Sequence, residues 1–242
     1  MAAPHGRATT FPSLFAPGGR APVPRGLRLR LDPDEAEEQA LRARGCRHVG
    51  GIDEVGRGCL AGPVVAGAVV LPGGWIPRGL RDSKLLDAEQ RERLAVEIQA
   101  RAVAWAVAEV PATVIDRINI LQATLLASLL AAARLAVRPD ALVTDSLDLP
   151  GVAAVQRVLV DADRVCASVA AASVVAKVHR DRLMVAYDAR YPGYGFAGHK
   201  GYAAPEHRAA IQALGLSPIH RRTFGTCVDR PLAEQSALWP AS

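Results

Sequence analysis

The sequence predicts an α/β fold in which helices cover both faces of a mixed β-sheet. Stretches of strand composition alternate with stretches of helical periodicity, and one strand is apolar on both faces, as expected of a covered sheet. Acidic residues also stand at or just past the ends of three apolar runs. Ligands of open sheets gather at such strand ends, so a functional site is expected there.

The first predicted elements are a helix and two strands. Asp32 is a good N-cap with Pro33 at the first helical position, and Gly45 follows the helix behind basic residues. A short apolar run leads to Asp53-Glu54 and predicts the first strand. The run from Pro63 to Leu71 is apolar throughout, which is typical of a strand buried on both faces.

Helix and strand patterns alternate through the middle of the chain. Asp87 is expected to cap a helix in which Gln90 completes a capping box. Residues 102–110 are rich in Val and Ala and predict a third strand, which Pro111 ends. Residues 116–137 have Leu and Ile at helical spacing and are apolar nearly all round, which predicts a long buried helix.

Two strands and two helices complete the predicted elements. Residues 141–145 form a short apolar strand that ends in Asp145, and residues 154–160 form the fifth strand. Residues 167–191 are expected to form a helix that is first small and apolar and then basic. The chain beyond is rich in Gly, His and Arg, with one more helix over residues 205–214.

Composition indicates the number of domains and the kind of partner. The chain has 242 residues, of which 50% are hydrophobic, which suits one large domain or one domain with an appendage. A net charge of +5 fits a polyanionic partner. We predict a flexible basic tail over residues 1–31, a main domain over residues 32–191 and an extension over residues 192–242. The tail is rich in Pro and Gly and has no acid; a transit-like leader is the alternative.

Several classes of protein are disfavoured. The four cysteines lack CxxC spacing, which argues against a zinc site or a disulfide framework and is compatible with a reducing cytosol. Residues 118–133 form an uncharged, largely apolar run, which falls short of the ~20 apolar residues that a membrane span needs. We therefore expect a cytoplasmic protein with no membrane partner. We also expect it to be a monomer.

Acids from three strand ends are expected to meet in one pocket: Asp53-Glu54, Asp145 and Asp163. Four carboxylates packed together would not all stay ionised unless divalent cations lay between them. Oxygen-only ligation favours Mg²⁺ or Mn²⁺ over zinc, and two such ions can hydrolyse a phosphodiester. The residues alone leave alternatives open, namely a polar turn at Asp53-Glu54, an Asx-turn at Asp145, and a helix N-cap at Asp163, for which Asp161 competes.

Several motifs in one order carry a resemblance to a known family. Over roughly residues 46–225 they closely resemble ribonuclease HII, and the resemblance is specific because the motifs are independent. They are Gly-Ile-Asp-Glu-Val-Gly-Arg-Gly at residues 51–58 with Gly62-Pro63, Asp-Ser-Lys-Leu at residues 82–85, the small-residue segment 168–178 with Arg180-Asp181, Tyr194-Gly195, His199-Lys200-Gly201-Tyr202, His207, His220-Arg221 and Phe224.

The resemblance implies a ribonuclease H-like fold with a helical C-terminal extension. It implies an endoribonuclease that cleaves the RNA strand of RNA/DNA hybrids and incises duplex DNA 5′ of an embedded ribonucleotide, leaving 3′-hydroxyl and 5′-phosphate ends. By position in the motifs, Asp53, Glu54, Asp145 and Asp163 would be the catalytic ligands of Mg²⁺ or Mn²⁺. The bare backbone of Gly56, Arg57 and Gly58 would sense the ribose 2′-hydroxyl.

Further substrate contacts are expected around these acids. By the resemblance, Tyr202 would stack on the deoxyribose next to the ribonucleotide; a core tyrosine is the alternative. Ser83 and Lys84 are interpreted as phosphate contacts, with a solvated loop as the alternative. Lys177 and Arg180 share one helix face and are candidates to line the backbone track, or else belong to a solvated face.

Three histidines, His199, His207 and His220, have a spacing that fits no compact zinc motif. His199 is a candidate for assisting proton transfer or departure of the leaving group.

The chain departs from the family pattern at four positions. Cys59 stands where proline is common, Ser146 where glycine is usual, and Ala204 where a capping threonine is common. Asp161 replaces a lysine, so a positive charge beside the site has become negative. None of these changes removes an acid.

Two other functions are compatible with the sequence. A catalytically inactive nucleic-acid binder would keep the fold, but the complete set of four acids argues against it. Ribonuclease HIII, or another nuclease of the superfamily such as a resolvase, is the second alternative. The short N-terminal region is expected to leave no room for the extra DNA-binding domain of ribonuclease HIII.

Overall fold

The computed structural model describes residues 32–225. The predicted tail over residues 1–31, and residues 226–242 of the predicted extension, lie outside this range. The strands are β1 (Val49–Val55), β2 (Val64–Val70), β3 (Ala104–Val110), β4 (Ala141–Asp145) and β5 (Val155–Leu159). The helices are α1 (Ala36–Ala43), α2 (Ala88–Arg101), α3 (Ala112–Ala133), α4 (Ala167–Arg190), α5 (Phe196–His199) and α6 (Pro205–Leu214), with 3-10 turns at Ser83–Leu85 and Ala162–Arg164.

The sheet is mixed, as predicted, with the strand order β3-β2-β1-β4-β5. β1 pairs antiparallel with β2, as β2 does with β3, whereas the β1–β4 and β4–β5 pairs are parallel. Ile52 of β1 lies opposite Thr144 of β4. The next residues along these two strands are Asp53 and Asp145, so the topology brings two of the predicted acids to one edge of the sheet.

One face of the sheet is covered by α4, which approaches the strands closely. A Cβ added to Gly51 would lie 2.1 Å from the backbone of Ser168, and one added to Gly67 would lie 2.4 Å from the carbonyl oxygen of Ala172. Glycine in the strands and small residues in the helix therefore allow backbone to pack against backbone. This close approach brings Ser173 of α4 to Asp53 near the end of β1.

The other face is covered by α3, whose predicted bounds and burial are wrong. The helix begins at Ala112, directly after Pro111, and ends at Ala133. Asn119 has a φ of 67° and kinks it, and the Asn119 side chain accepts the N–H of Gln122 at 3.1 Å, as a cap would. One face is buried, while Leu121 is 52% exposed. An apolar composition therefore did not mean burial on all sides.

By length and composition alone, α3 is long and apolar enough to cross a membrane, and it alone meets these criteria among residues 32–225. In the structure its buried residues Ile115, Ala123 and Ala127 belong to the same hydrophobic core as the apolar residues of β2 and β3. This packing is that of a core helix that covers one face of a β-sheet.

The ends of the other helices test the sequence rules for capping. The predicted cap at Asp32 is wrong, since α1 begins at Ala36 and the side chain of Asp34 accepts the Ala36 N–H at 2.9 Å. The capping box of α2, formed by Asp87 and Gln90, is confirmed. The bounds of α6 are also confirmed.

Candidate active site

The four predicted acids converge at one end of the sheet. Asp53 and Glu54 lie near the end of β1, Asp145 ends β4, and Asp163 lies in the 3-10 turn between β5 and α4. Their carboxylates act on one another electrostatically, as Asp53 does with Asp163, and Asp145 with both Glu54 and Asp163. The fold therefore joins acids from distant parts of the sequence into one cluster.

Asp53 is the most enclosed of the four acids. It is 8% exposed and hydrogen-bonds to the side chain of Ser173. Burial, reinforced by the negative charges of Glu54 and Asp163, raises the pKa of Asp53 to about 8. A carboxyl group with this pKa is largely protonated at neutral pH unless a nearby cation offsets its lost hydration.

Ser83 supports Asp53 rather than lying at the surface. Ser83 is 4% exposed, and its Oγ lies 2.9 Å from Oγ of Ser173. Because Ser173 also hydrogen-bonds to Asp53, the three side chains form one chain of contacts. The Ser83 hydroxyl therefore faces Ser173 rather than solvent, and a phosphate contact by Ser83 stays a prediction.

Two basic side chains are paired with the cluster. Nη1 of Arg57 lies 3.0 Å from Oε1 of Glu54, and Nζ of Lys84 lies 3.6 Å from Oδ2 of Asp163. Partial burial lowers the pKa of Lys84, but the attraction of Asp163, Asp82 and Asp53 outweighs this and the pKa is raised. The Lys84 side chain is 79% exposed, so it can also reach a phosphate from its place beside the acids.

The donor set suits a hard divalent cation. All four side chains are carboxylates, and oxygen-only ligation favours Mg²⁺ or Mn²⁺. Burial raises the pKa values of Asp53, Glu54 and Asp163, a penalty that a bound cation would remove. Across residues 32–225 no group of three or more His, Cys, Asp or Glu side chains is arranged so that it could hold a metal ion. This agrees with Arg57 and Lys84 each being paired with one carboxylate.

The Gly56-Arg57-Gly58 turn adjoins the acids. Gly56 has a φ of 90°, and a Cβ there would lie 2.2 Å from Nε of Arg180, so the fold requires glycine. At Gly58 nothing lies within 4 Å of an added Cβ, and the residue is exposed. Gly58 therefore leaves open space above the backbone beside the carboxylates.

Tyr202 and Lys177 both lie near the surface. Tyr202 is 43% exposed, so it is not a core tyrosine, and its hydroxyl hydrogen-bonds to Cys59. Burial of the hydroxyl end raises the pKa of Tyr202. Nζ of Lys177 lies 2.8 Å from Oδ1 of Asp181, so a phosphate would have to compete with this carboxylate.

Arg180 is not placed to touch a substrate, and its predicted role in the backbone track is wrong. It is fully buried. Its guanidinium group donates to the carbonyl oxygens of Pro63 at 3.0 Å, Lys200 at 2.9 Å and Ala61 at 3.1 Å. Arg180 therefore joins the segment after the glycine–arginine–glycine turn to the loop that carries Tyr202.

The histidines hold the same loop in place. Nδ1 of His207 lies 2.8 Å from the carbonyl oxygen of Tyr202, and the two Nε2 atoms of His207 and His220 are 3.0 Å apart. Both Nε2 and Nδ1 of His199 bond to backbone groups, the carbonyl of Tyr194 and the N–H of Gly201. The structure therefore gives His199 a structural role and leaves it no free nitrogen for the predicted proton transfer.

The departures from the family pattern have local consequences. Ser146 has a φ of 53°, a conformation that favours the glycine usual there, and its hydroxyl donates to Asp145. Asp161 also has a positive φ, of 56°, and precedes the 3-10 turn without capping it. Ala204 precedes α6 without a side-chain cap, as the sequence predicted.

Sequence reasoning assigned no role to Ser173 or Arg221. Ser173 lies in the small-residue segment 168–178, where its hydroxyl group was the available signal. Arg221 belongs to the His220-Arg221 motif, and it is fully buried and donates to the carbonyls of Gly56 and Arg57. A buried arginine cannot be recognised without knowing which carbonyls surround it.

Comparisons with known proteins agree with this geometry. The family model "Ribonuclease HII" matches residues 50–227. A ribonuclease HII of Solibacter usitatus is 49% identical over 203 residues, which cover 84% of this chain and 88% of that protein. The ribonuclease H2 structure from Pyrococcus horikoshii OT3 has a TM-score of 0.66 at 28% identity, covering 75% of this chain and 95% of that one. Bst-RNase HIII in complex with Mn²⁺ has a TM-score of 0.56 at 22% identity, covering 75% and 68%, and is similar in fold alone.

Proposed function

The chain belongs to the ribonuclease HII family, and from that premise we propose that it incises duplex DNA 5′ of an embedded ribonucleotide and cleaves the RNA strand of RNA/DNA hybrids. Membership makes it a nuclease with the ribonuclease H-like fold of its structural neighbours. The products would carry 3′-hydroxyl and 5′-phosphate ends. The observation that carries the proposal is the convergence of four carboxylates beside an open backbone turn.

The acids Asp53, Glu54, Asp145 and Asp163 would hold two Mg²⁺ or Mn²⁺ ions. When bound, such ions supply an activated water and stabilise the charge that develops on a phosphodiester. Asp53 would keep its hydrogen bond to the hydroxyl group of Ser173. Glu54 would give up its ion pair with Arg57 and bind a cation instead. The raised pKa values of these acids would fall as the positive charge replaces lost hydration.

The remaining contacts would place the scissile phosphate at these acids. Lys84 is exposed beside Asp163 and would contact a phosphate. The backbone N–H groups of Arg57 and Gly58 would bond to the ribose 2′-hydroxyl, which is the group that separates RNA from DNA. The exposed ring of Tyr202 would stack on the neighbouring deoxyribose.

We further propose that the protein acts as a monomer in the cytoplasm on these nucleic acids. The net charge of +5 supports a polyanionic partner. Cys46, Cys59 and Cys166 are free thiols, which is compatible with a reducing compartment.

Three labelled duplexes of one sequence test the proposal: all-DNA, an RNA/DNA hybrid, and DNA with a single ribonucleotide. We expect the hybrid and the single-ribonucleotide duplex to be cleaved only in the presence of Mg²⁺ or Mn²⁺. A DNA ligase should accept the nicked ends, because ligation requires a 5′-phosphate. Cleavage of the hybrid without any nick at the single ribonucleotide would contradict the proposed incision at embedded ribonucleotides. Binding without cleavage in either metal would favour the inactive binder.

A further inference from the structure

We propose that Arg221 is a positioning residue for ribose recognition, because its buried guanidinium group fixes the peptide planes of the Gly56-Arg57-Gly58 turn with two N–H groups facing outward. The inference rests on the proposed function, in which this turn senses the 2′-hydroxyl. Arg221 itself does not reach the surface, so it acts only through the backbone it holds.

Two of the three side-chain hydrogen bonds of Arg221 go to carbonyl oxygens of this turn. Nη2 donates to the carbonyl oxygen of Gly56 at 2.6 Å, and Nη1 donates to the carbonyl oxygen of Arg57 at 2.7 Å. Nε donates to the carbonyl of Gly62 at 3.1 Å, which ties the turn to the next segment. Two consecutive carbonyls thus point into the protein at one guanidinium group.

The orientation of the carbonyls sets the orientation of the N–H groups. In a trans peptide the C=O of one residue and the N–H of the next point in opposite directions, and no described peptide is cis. With the Gly56 and Arg57 carbonyls directed inward, the N–H groups of Arg57 and Gly58 are directed outward. Neither N–H has a hydrogen-bond acceptor among residues 32–225, and both residues are exposed.

The charge of Arg221 also strengthens these donors. A guanidinium group bound to a carbonyl oxygen polarises the peptide, and linked hydrogen bonds strengthen one another where the dielectric constant is low. The Arg57 and Gly58 N–H groups are therefore better donors to a hydroxyl oxygen than unsupported peptides would be. The oxygen of a ribose 2′-hydroxyl can accept from these N–H groups, whereas the 2′-carbon of deoxyribose offers no acceptor.

Arg180 shows that the role is not shared by every buried arginine here. It is buried to the same degree and also bonds to three carbonyls, but those belong to Pro63, Ala61 and Lys200. Arg221 alone of the two holds the carbonyls of the turn.

The test is the variant Arg221→Lys, which keeps the charge but cannot hold two carbonyls with one planar group. We measure kcat and KM on duplex DNA with one ribonucleotide, and the inhibition constant of the all-DNA duplex of the same sequence as a competitor. We expect kcat/KM to fall tenfold or more while the inhibition constant stays within twofold. Leu94→Ala, in the core between α2 and α4 and away from the turn, is the control for lost stability alone.

Arg221→Gln is measured in the same way as a second variant. Equal weakening of both duplexes, or unchanged kcat/KM, would overturn the inference, as would failure of both variants to fold, since Arg221 would then serve the fold alone. If the unmodified protein does not nick the ribonucleotide duplex, the proposed function fails instead. Nicking by the unmodified protein with no selective loss in the variants overturns only the role of Arg221.

Discussion

Nε2 of His207 lies 3.0 Å from Nε2 of His220, and the groups around the pair determine which nitrogen carries each proton. The Tyr202 carbonyl can only accept, so Nδ1 of His207 donates to it. The Ser217 N–H donates to Nδ1 of His220, so His220 carries its proton on Nε2 and donates to His207. Both rings are therefore neutral, and the backbone of Tyr202 is held by a buried pair that protonation would break.

Acid should destabilise the protein through this pair. Burial lowers the pKa of His220 to about 3 and that of His207 to about 4. Because the folded pKa values lie below that of an unfolded histidine, at about 6.5, the stabilisation is complete above pH 6.5 and is lost as pH falls toward 4. For His220 the loss between pH 7 and pH 5 is on the order of 2 kcal/mol.

Urea unfolding of the unmodified chain and of His220→Gln at both pH values measures this loss. Because the buried carboxyl groups also titrate, the difference between the two proteins is the quantity of interest. His179→Gln, at a half-exposed histidine, is the matched control. Equal loss of stability in the His220→Gln variant and the unmodified protein would show that His220 does not titrate as proposed.

The two glycines of the Gly56-Arg57-Gly58 turn should respond differently to substitution by alanine. At Gly58 an added Cβ meets nothing within 4 Å, so Gly58→Ala should fold with an unchanged thermal midpoint yet lose activity, since the methyl group fills space meant for substrate. At Gly56 the positive φ and the contact with Arg180 predict a destabilised protein. Thermal unfolding and nicking rates are compared for both variants; full activity in Gly58→Ala would contradict close approach of the substrate.

Lys84 should contribute to the affinity for duplex substrates by contacting a backbone phosphate. Lys84→Ala removes an exposed charge, so binding should weaken and the slope of log K against log salt should fall by about 1. Duplex binding at several salt concentrations measures that slope. Arg101→Ala, which removes a charge at the end of α2, should leave it nearly unchanged, and an unchanged slope in Lys84→Ala would mean that Lys84 serves only Asp163.

Ser83 should act on the rate rather than on affinity. Ser83→Ala leaves Ser173 without its 2.9 Å partner, so Asp53 is less well held. The loss of one hydrogen bond predicts a fall in kcat of roughly twofold to tenfold with little change in KM. Steady-state kinetics decide the matter: a raised KM with unchanged kcat would instead assign Ser83 to substrate binding.

Much of the fold could be read from local patterns. The all-apolar run of β2 and the Asp87–Gln90 capping box gave correct elements, because both depend on residues adjacent in sequence. The bounds of α3 were misjudged because Asn119 occupies a kink that composition does not show. The start of α1 was misjudged because Asp32 and Asp34 are both suitable capping residues by type. In the structure, Asp34 is the one that accepts the Ala36 N–H.

The acids could be predicted, whereas the roles of their neighbours could not. Asp53 and Asp145 end apolar runs, and the parallel pairing of β1 with β4 brings them together. Ser83 and Arg180 looked like surface contacts because serine and arginine are usually exposed. Their burial depends on contacts between segments far apart in the chain, which no local pattern records.

The proposed activity requires that the clustered acids bind the divalent ions that cleave at a ribonucleotide. It is tested most directly by nicking of single-ribonucleotide duplex DNA by the unmodified protein and by Asp53→Asn across a Mg²⁺ and Mn²⁺ titration, with calorimetry of each metal on both proteins. We expect that metal-dependent nicking and metal binding are both lost in Asp53→Asn, while the thermal midpoint and the affinity for duplex DNA persist. Undiminished nicking by Asp53→Asn would contradict this expectation.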